Sequence, residues 1–174
     1  MVETSIIIRA FNEEKHLPAL FEALGSQAYS DFEVIFVDSG SYDRSRDIAA
    51  EHGAKIVRIN SHDFTFGYSL NVGIEAAQGA LIAIVSAHTV PESEHWLEHL
   101  VSPLRQEGVA MTYGRQVGVR ESKFGEAEDF ERVFGSGPRE DRARSIRANN
   151  ACSALRRTLW EQKNFDPEIT GLED

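Results

Sequence analysis

Glu33-Val-Ile-Phe-Val37-Asp38-Ser39-Gly40-Ser41-Tyr42-Asp43 runs a continuous apolar stretch into a carboxylate, two serines and a glycine. An unbroken β-branched and aromatic run of this length reads as a strand buried on both faces, the pattern of a parallel sheet. The residues after it read as a sharp turn into a helix. Gly40 lets the backbone reverse, and Ser41 is placed to cap the helix that follows. In an open α/β sheet, ligands sit at the carboxyl ends of the strands. Asp38 is therefore expected at a ligand crevice, offering acceptor oxygens to a base or a sugar hydroxyl; the alternative is an acid that only caps a helix.

The neighbouring sequence repeats the alternation. Ser5-Ile-Ile-Ile8 is a short buried strand, and Leu17, Leu20, Phe21 and Leu24 recur at helical spacing, with Pro18 in the first turn and Gly25 near the end. Strand 33–37 is followed by a helix over about 43–52 closed by Gly53. Strand Lys55–Ile59, a helix over about 68–78 closed by Gly79, and strand Ala80–Val85 come next. Such alternation predicts a mostly parallel central sheet with helices on both faces. Pro91 is expected to open a helix carrying Trp96, Leu97, Leu100, Val101 and Leu104 on its apolar face, with Glu92 and Glu94 at its positive end. Val109–Tyr113 reads as a strand, and Phe124, Phe130, Val133 and Phe134 as the apolar side of a further helix. Arg139–Arg147 reads as an arginine-rich loop and Ala151–Leu155 as a short apolar segment.

Composition narrows the partners. The 174 residues hold 18 Lys plus Arg against 28 Asp plus Glu, a formal net charge of -10, which argues against a general nucleic-acid binder. Cys152 is the single cysteine, so neither an intrachain disulfide nor a cysteine-based zinc site is available. The amino terminus lacks secretory-signal features, and no stretch approaches the roughly 20 apolar residues of a membrane span. The expectation is a single soluble domain in the cytoplasm, with peripheral contact at the inner face of a membrane left open.

Ser5-Ile-Ile-Ile-Arg-Ala-Phe-Asn-Glu-Glu14 together with Val37-Asp38-Ser-Gly-Ser-Tyr-Asp43 resembles the start of the family-2 inverting glycosyltransferases of the GT-A fold. Asn71-Val-Gly73 with Ala77-Gln-Gly79 is similar to the family's helix before its metal-binding strand, and Phe165-Asp166-Pro167 with Glu173-Asp174 is similar to its late acceptor-side motif. The resemblance implies a Rossmann-like GT-A domain over 1–174. Residues about 1–114 would bind a nucleotide-diphosphate sugar, and about 115–174 would form an acceptor side that is incomplete, because family members continue past this point. The acceptor implied is a lipid-linked or glycan hydroxyl. By the same resemblance, Asp38 would contact the nucleoside, Ala10 and Phe11 would wall the base, and Glu13 would lie beside that wall.

One position departs from the pattern. After Leu81-Ile-Ala-Ile-Val85 the family carries two acids one residue apart, the second holding a divalent cation; here stand Ser86-Ala87-His88. Mg²⁺ is poorly served by imidazole, whereas Mn²⁺ accepts a mixed nitrogen and oxygen shell, so Mn²⁺ is the expected ion if His88 is a ligand. The alternative is that His88 hydrogen-bonds the diphosphate directly, with little or no metal. Ser86 and His88 are both placed on the donor side. The resemblance puts the general base at Asp174, with Glu173 supporting it or binding acceptor. The pair His95 and His99, four residues apart, reads as a solvated helix face.

Two other classes remain open. A nucleotide-sugar-binding module would keep the fold without the chemistry. A phosphate-accepting receiver would also put an aspartate at a strand end, but it needs an acid pair after the first strand and a late strand-end lysine; Arg9-Ala-Phe-Asn and Tyr113-Gly114-Arg115 supply neither.

Overall fold

The computed structural model describes residues 2–117 and 150–169. Six strands form one sheet: β1 (Thr4–Ala10), β2 (Phe32–Asp38), β3 (Lys55–Arg58), β4 (Leu81–Ser86), β5 (Met111–Tyr113) and β6 (Cys152–Arg156), in the order β3-β2-β1-β4-β6-β5. β1 to β4 are mutually parallel, while β6 runs antiparallel to both β4 and β5. The helices are α1 (Leu17–Gly25), α2 (Ser45–Glu51), α3 (Phe66–Ala76), α4 (Trp96–Val101) and α5 (Arg157–Gln162).

Alternation along the central strands divides the core in two. Ile6 and Ile8 of β1 and Phe36 of β2 face Leu17, Leu20, Phe21 and Leu24 of α1, Ile48 and Ala49 of α2, and Leu97 and Leu100 of α4. Ile7, Ile35 and Val37 face the other way, onto Leu70 and Ile74 of α3 and Trp160 of α5. Both faces of the sheet are thus covered, which is why these strands carry no polar alternation. Leu17 and Leu20 are fully buried, each contributing about 1.5–3 kcal/mol relative to exposure.

The order reverses at one point. α1 carries the chain from β1 to β2 on one face, and α3 carries it from the edge strand β3 back to β4 on the other. The connections thus leave β1 and β3 on opposite faces, and the switch in strand order falls at the carboxyl ends of β1 and β4, where open α/β sheets place their ligands. Gly73 allows α3 to lie close over the sheet here: a Cβ at that position would sit 2.7 Å from Ile7 Cγ2 and 2.8 Å from Val37 Cγ2.

Several predicted elements shift. Ser41 does not cap α2; its Oγ accepts the N–H of Asn12, and the helix starts only at Ser45, whose N–H is taken by Asp43 Oδ1. α3 starts two residues earlier than predicted because Thr65 caps it, accepting the N–H of Tyr68. Pro91 does not open α4. Ser93 makes a local turn, its Oγ accepting the N–H of His95 and its carbonyl the N–H of Trp96, so Glu92 and Glu94 lie outside the helix. The segment read as apolar over 151–155 contributes to a strand: β6 enters antiparallel between β4 and β5, which makes the sheet mostly rather than wholly parallel. An antiparallel strand inside this order also excludes the receiver arrangement, whose sheet is parallel throughout. The helix expected around Phe124–Phe134, the loop Arg139–Arg147 and the pair Glu173-Asp174 lie outside the described residues.

Candidate functional site

Register places three of the expected site residues at one level. Ala10 pairs with Asp38, and Arg9 beside it pairs with Ser86, so Ala10, Asp38 and Ser86 end their strands together at the carboxyl edge. The loops beyond β1 and β2 are then laced to each other. Asn12 sits at φ 58°, a left-handed conformation that asparagine tolerates, and its Oδ1 accepts the N–H of Tyr42 at 3.0 Å. Ser41 Oγ accepts the N–H of Asn12 at 2.9 Å and Ser45 Oγ that of Glu13 at 2.7 Å. Asp43 Oδ2 accepts the N–H of Glu14, and Glu14 Oε2 accepts that of Arg44. These bonds turn two flexible connections into one wall.

Asp38 supports that wall from beneath. Its carboxylate is 0% exposed and accepts the N–H of Ser41 at 3.0 Å and of Gly40 at 3.3 Å, with Arg46 Nε 3.8 Å away. Each carboxylate oxygen of Asp38 thus accepts one backbone N–H of the turn that follows β2. Gly40 takes φ +98°, which lets consecutive N–H groups turn onto the same carboxylate.

Above the turn, two aromatic rings stand in solvent. Phe11 is 50% exposed and Tyr42 85% exposed, and they meet edge to face at 6.1 Å between centroids. Large apolar rings left exposed at the mouth of a crevice offer a stacking surface. Sequence reasoning identified Phe11 but missed Tyr42 and Asn12. The signal available was their position in the two strand-end turns.

The switch in strand order brings together residues from distant parts of the chain. His88, beyond β4, places Nε2 3.0 Å from Oε1 of Glu13, beyond β1. His16, immediately before α1, stacks edge to face on His88 with ring centroids 4.8 Å apart. The ligating atoms of Glu13, His16 and His88 all lie within 4.8 Å of one another. A carboxylate and two imidazoles at this separation form a donor set for a divalent cation. Ser86 Oγ accepts the N–H of His88 at 3.4 Å and so steers the turn that carries it. His16 was absent from the sequence reading because nothing in its spacing relates it to a residue 72 positions later, as the numbers 16 and 88 imply.

Other expected motifs prove structural. Asn71 Nδ2 donates to the carbonyl of Phe165 at 2.8 Å, and Asn71 Oδ1 accepts Trp160 Nε1–H at 2.8 Å and the N–H of Phe165 at 3.1 Å. The Asn71-Val-Gly73 stretch thereby clamps the segment after α5 onto α3. His95 and His99 stand 6.1 Å apart by ring centroids, with His95 3.5 Å from Glu94 on an exposed face, as expected of a solvated pair.

Comparison with known proteins agrees with this architecture. The family model described as glycosyl transferase family 2 matches residues 5–162. Glycosyltransferase AglE of Haloferax volcanii is 31% identical over 116 residues, covering 63% of this chain and 38% of that protein. Among solved structures, TarS 1–349 of S. aureus superposes with a TM-score of 0.74 at 17% identity, over 99% of this chain and 52% of that one. The mannosyltransferase PcManGT of Pyrobaculum calidifontis, solved with GDP-Man and Mn²⁺, superposes with a TM-score of 0.72 at 16% identity, over 96% of this chain and 48% of that one. The chain thus spans about half the length of these solved relatives. With its sheet order and a family match running over most of its length, the chain belongs to glycosyl transferase family 2.

Proposed function

We propose that this chain binds a nucleotide-diphosphate sugar at the β1/β4 crevice and transfers the sugar, with inversion, to an acceptor hydroxyl in polysaccharide or glycoconjugate synthesis. The observation that carries this reading is the convergence of Phe11, Tyr42, Glu13 and His88 on one sheet edge, built by loops that Asp38 holds in place. In this assignment the base stacks against Phe11 and Tyr42 above Ala10, and Asp38 acts by fixing the turn that carries Tyr42. Glu13, Ser86 and His88 face the diphosphate. A divalent cation held there would neutralise charge on the leaving nucleoside diphosphate. The mixed nitrogen and oxygen donors favour Mn²⁺ over Mg²⁺, and the PcManGT structure, solved with Mn²⁺, supports a divalent cation in general.

The proposal extends to residues outside the described set. Asp174 is assigned as general base toward the acceptor hydroxyl, with Glu173 supporting it, and residues beyond about 114 are assigned to the acceptor side. The acceptor assigned is a lipid-linked or glycan hydroxyl, and the location assigned is the cytoplasm, with peripheral contact at the inner face of a membrane. No helix among the described residues is long and apolar enough to cross one.

Thermal-shift screening against UDP, GDP and dTDP, with and without Mn²⁺, tests the reading. A ligand at 100 times its dissociation constant adds about 2.7 kcal/mol, which for a domain of this size raises the melting temperature by about 5–10 °C. One nucleotide is expected to produce such a shift with Mn²⁺; no shift with any of the three would overturn the assignment. His88 in place of an acid favours one second reading, a non-catalytic donor-binding module, and a nucleotide shift without sugar transfer or donor hydrolysis would select it.

A further inference from the structure

We infer that Glu13, His16 and His88 form a preassembled site for a late first-row divalent ion, occupied without nucleotide and selective against Mg²⁺. The inference deepens the donor-site reading, because it names a protein-supplied ligand, His16, that a strand-end acid pair would not involve.

Three features of the fold argue for it. Glu13 and His16 belong to the turn entering α1, and His88 to the turn leaving β4, so the three meet where the strand order reverses and the backbone opens toward solvent. Ligands bound to one ion at about 2.1 Å stand about 3.0–3.4 Å apart. The 3.0 Å separation of Glu13 Oε1 and His88 Nε2 already meets that requirement, and the 4.8 Å limit on the whole set brings a His16 nitrogen within reach of the same ion. Glu13 is also anchored before any ion arrives. Its side chain is 15% exposed, and its N–H is fixed on Ser45 Oγ while its carbonyl accepts the N–H groups of His16 and Leu17.

Ligand chemistry sets the selectivity. Mg²⁺ demands an oxygen shell and keeps its waters, so two imidazoles disfavour it. Affinities of a nitrogen and oxygen site rise from Mn²⁺ through Co²⁺, with Zn²⁺ also above Mn²⁺. Three protein ligands leave coordination positions for water or for diphosphate oxygens. An ion seated between β1 and β4 would therefore be retained by the protein and shared with an incoming donor.

The test is titration of the nucleotide-free chain with Co²⁺, followed by visible absorption and calorimetry, and competition by Zn²⁺, Mn²⁺ and Mg²⁺. The expected result is one Co²⁺ per chain with nitrogen-ligand absorption bands, displaced by Zn²⁺ and untouched by millimolar Mg²⁺. His16→Ala and His88→Ala should each weaken Co²⁺ at least tenfold, while a His95→Ala/His99→Ala variant leaves it unchanged. His16→Ala is a clean probe because the His16 side chain makes no capping hydrogen bond to α1. Absence of Co²⁺ binding without nucleotide, Co²⁺ affinity unaltered by His16→Ala, or equal competition by Mg²⁺ would each overturn the inference. Since no nucleotide is present, the outcome is independent of whether the donor assignment holds.

Discussion

His88 Nε2 lies 3.0 Å from Glu13 Oε1, joining the turn after β4 to the turn after β1 across the switch in strand order. The two residues are 75 positions apart, as their numbers give, and only the parallel neighbours β1 and β4 bring them together. The imidazole at this strand end therefore has a carboxylate partner supplied from a different loop. Where a pair of acids in one strand-end turn would concentrate negative charge, this chain sets an imidazole on one turn against a carboxylate on another.

Tyr42 offers the most exposed ring at the crevice mouth. Stacking of a base on an aromatic side chain is worth about 1–3 kcal/mol. Tyr42→Ala is expected to weaken the preferred nucleoside diphosphate five-fold or more in calorimetry, with the unfolding midpoint of the free protein little changed because the ring is 85% exposed.

Asn71 is expected to matter for stability rather than for ligand contact. Asn71→Ala strips partners from the Trp160 indole N–H and from both backbone groups of Phe165. Leaving such half-buried groups unpaired should cost about 2–4 kcal/mol in urea denaturation. Faster hydrogen exchange at the Trp160 indole would locate the loss at this clamp.

Much of this was legible in the sequence. The strands β1, β2 and β4 and the buried stripe of α1 follow from apolar periodicity, because burial on both faces, or on one helical stripe, writes itself directly into residue spacing. The carboxyl-edge location of Ala10, Asp38, Ser86 and His88 follows from the same alternation. What spacing could not show is who meets whom in three dimensions. His16 reaches His88 because the paired strands β1 and β4 bring the turns that follow them together, and Asp38 is held because Gly40 and Ser41 aim their N–H groups at it. β6 was hidden for a related reason: its pairing with β4 is antiparallel and non-local, and five residues of mixed polarity carry too little periodicity to declare a strand.

Acid sensitivity should be traceable to Glu3. Hydrogen bonding from Arg105 holds the Glu3 carboxyl below the ordinary glutamate range, aided by the Tyr29 hydroxyl and opposed by partial burial. A carboxyl depressed in the folded state contributes stability that is complete above its unfolded value and disappears as pH falls through its folded value. The melting temperature of the parent should therefore exceed that of Arg105→Met at pH 6, and the difference should narrow as pH falls below the ordinary glutamate range of about 4.3. A difference independent of pH would contradict this.

Cys152 should be inert while the protein is folded. It is 3% exposed in β6, and burial pushes its thiol above the ordinary range against the opposing influence of Trp96 and the Gly114 N–H. Reaction with a thiol reagent at pH 8 is expected to be at least 100-fold slower than in urea, because the thiolate is the reacting species and is both scarce and inaccessible.

The central claim, a donor crevice at the carboxyl edge between β1 and β4, is tested most directly by amide chemical-shift mapping of the labelled chain during titration with the nucleoside diphosphate that stabilises it. The account predicts that the largest shifts fall on Phe11–Glu13, Gly40–Tyr42 and Ser86–His88. Shifts concentrated at the amino ends of the strands, around Thr4, Phe32 and Leu81, or saturable binding that leaves the Phe11, Tyr42 and His88 amides unmoved, would contradict it.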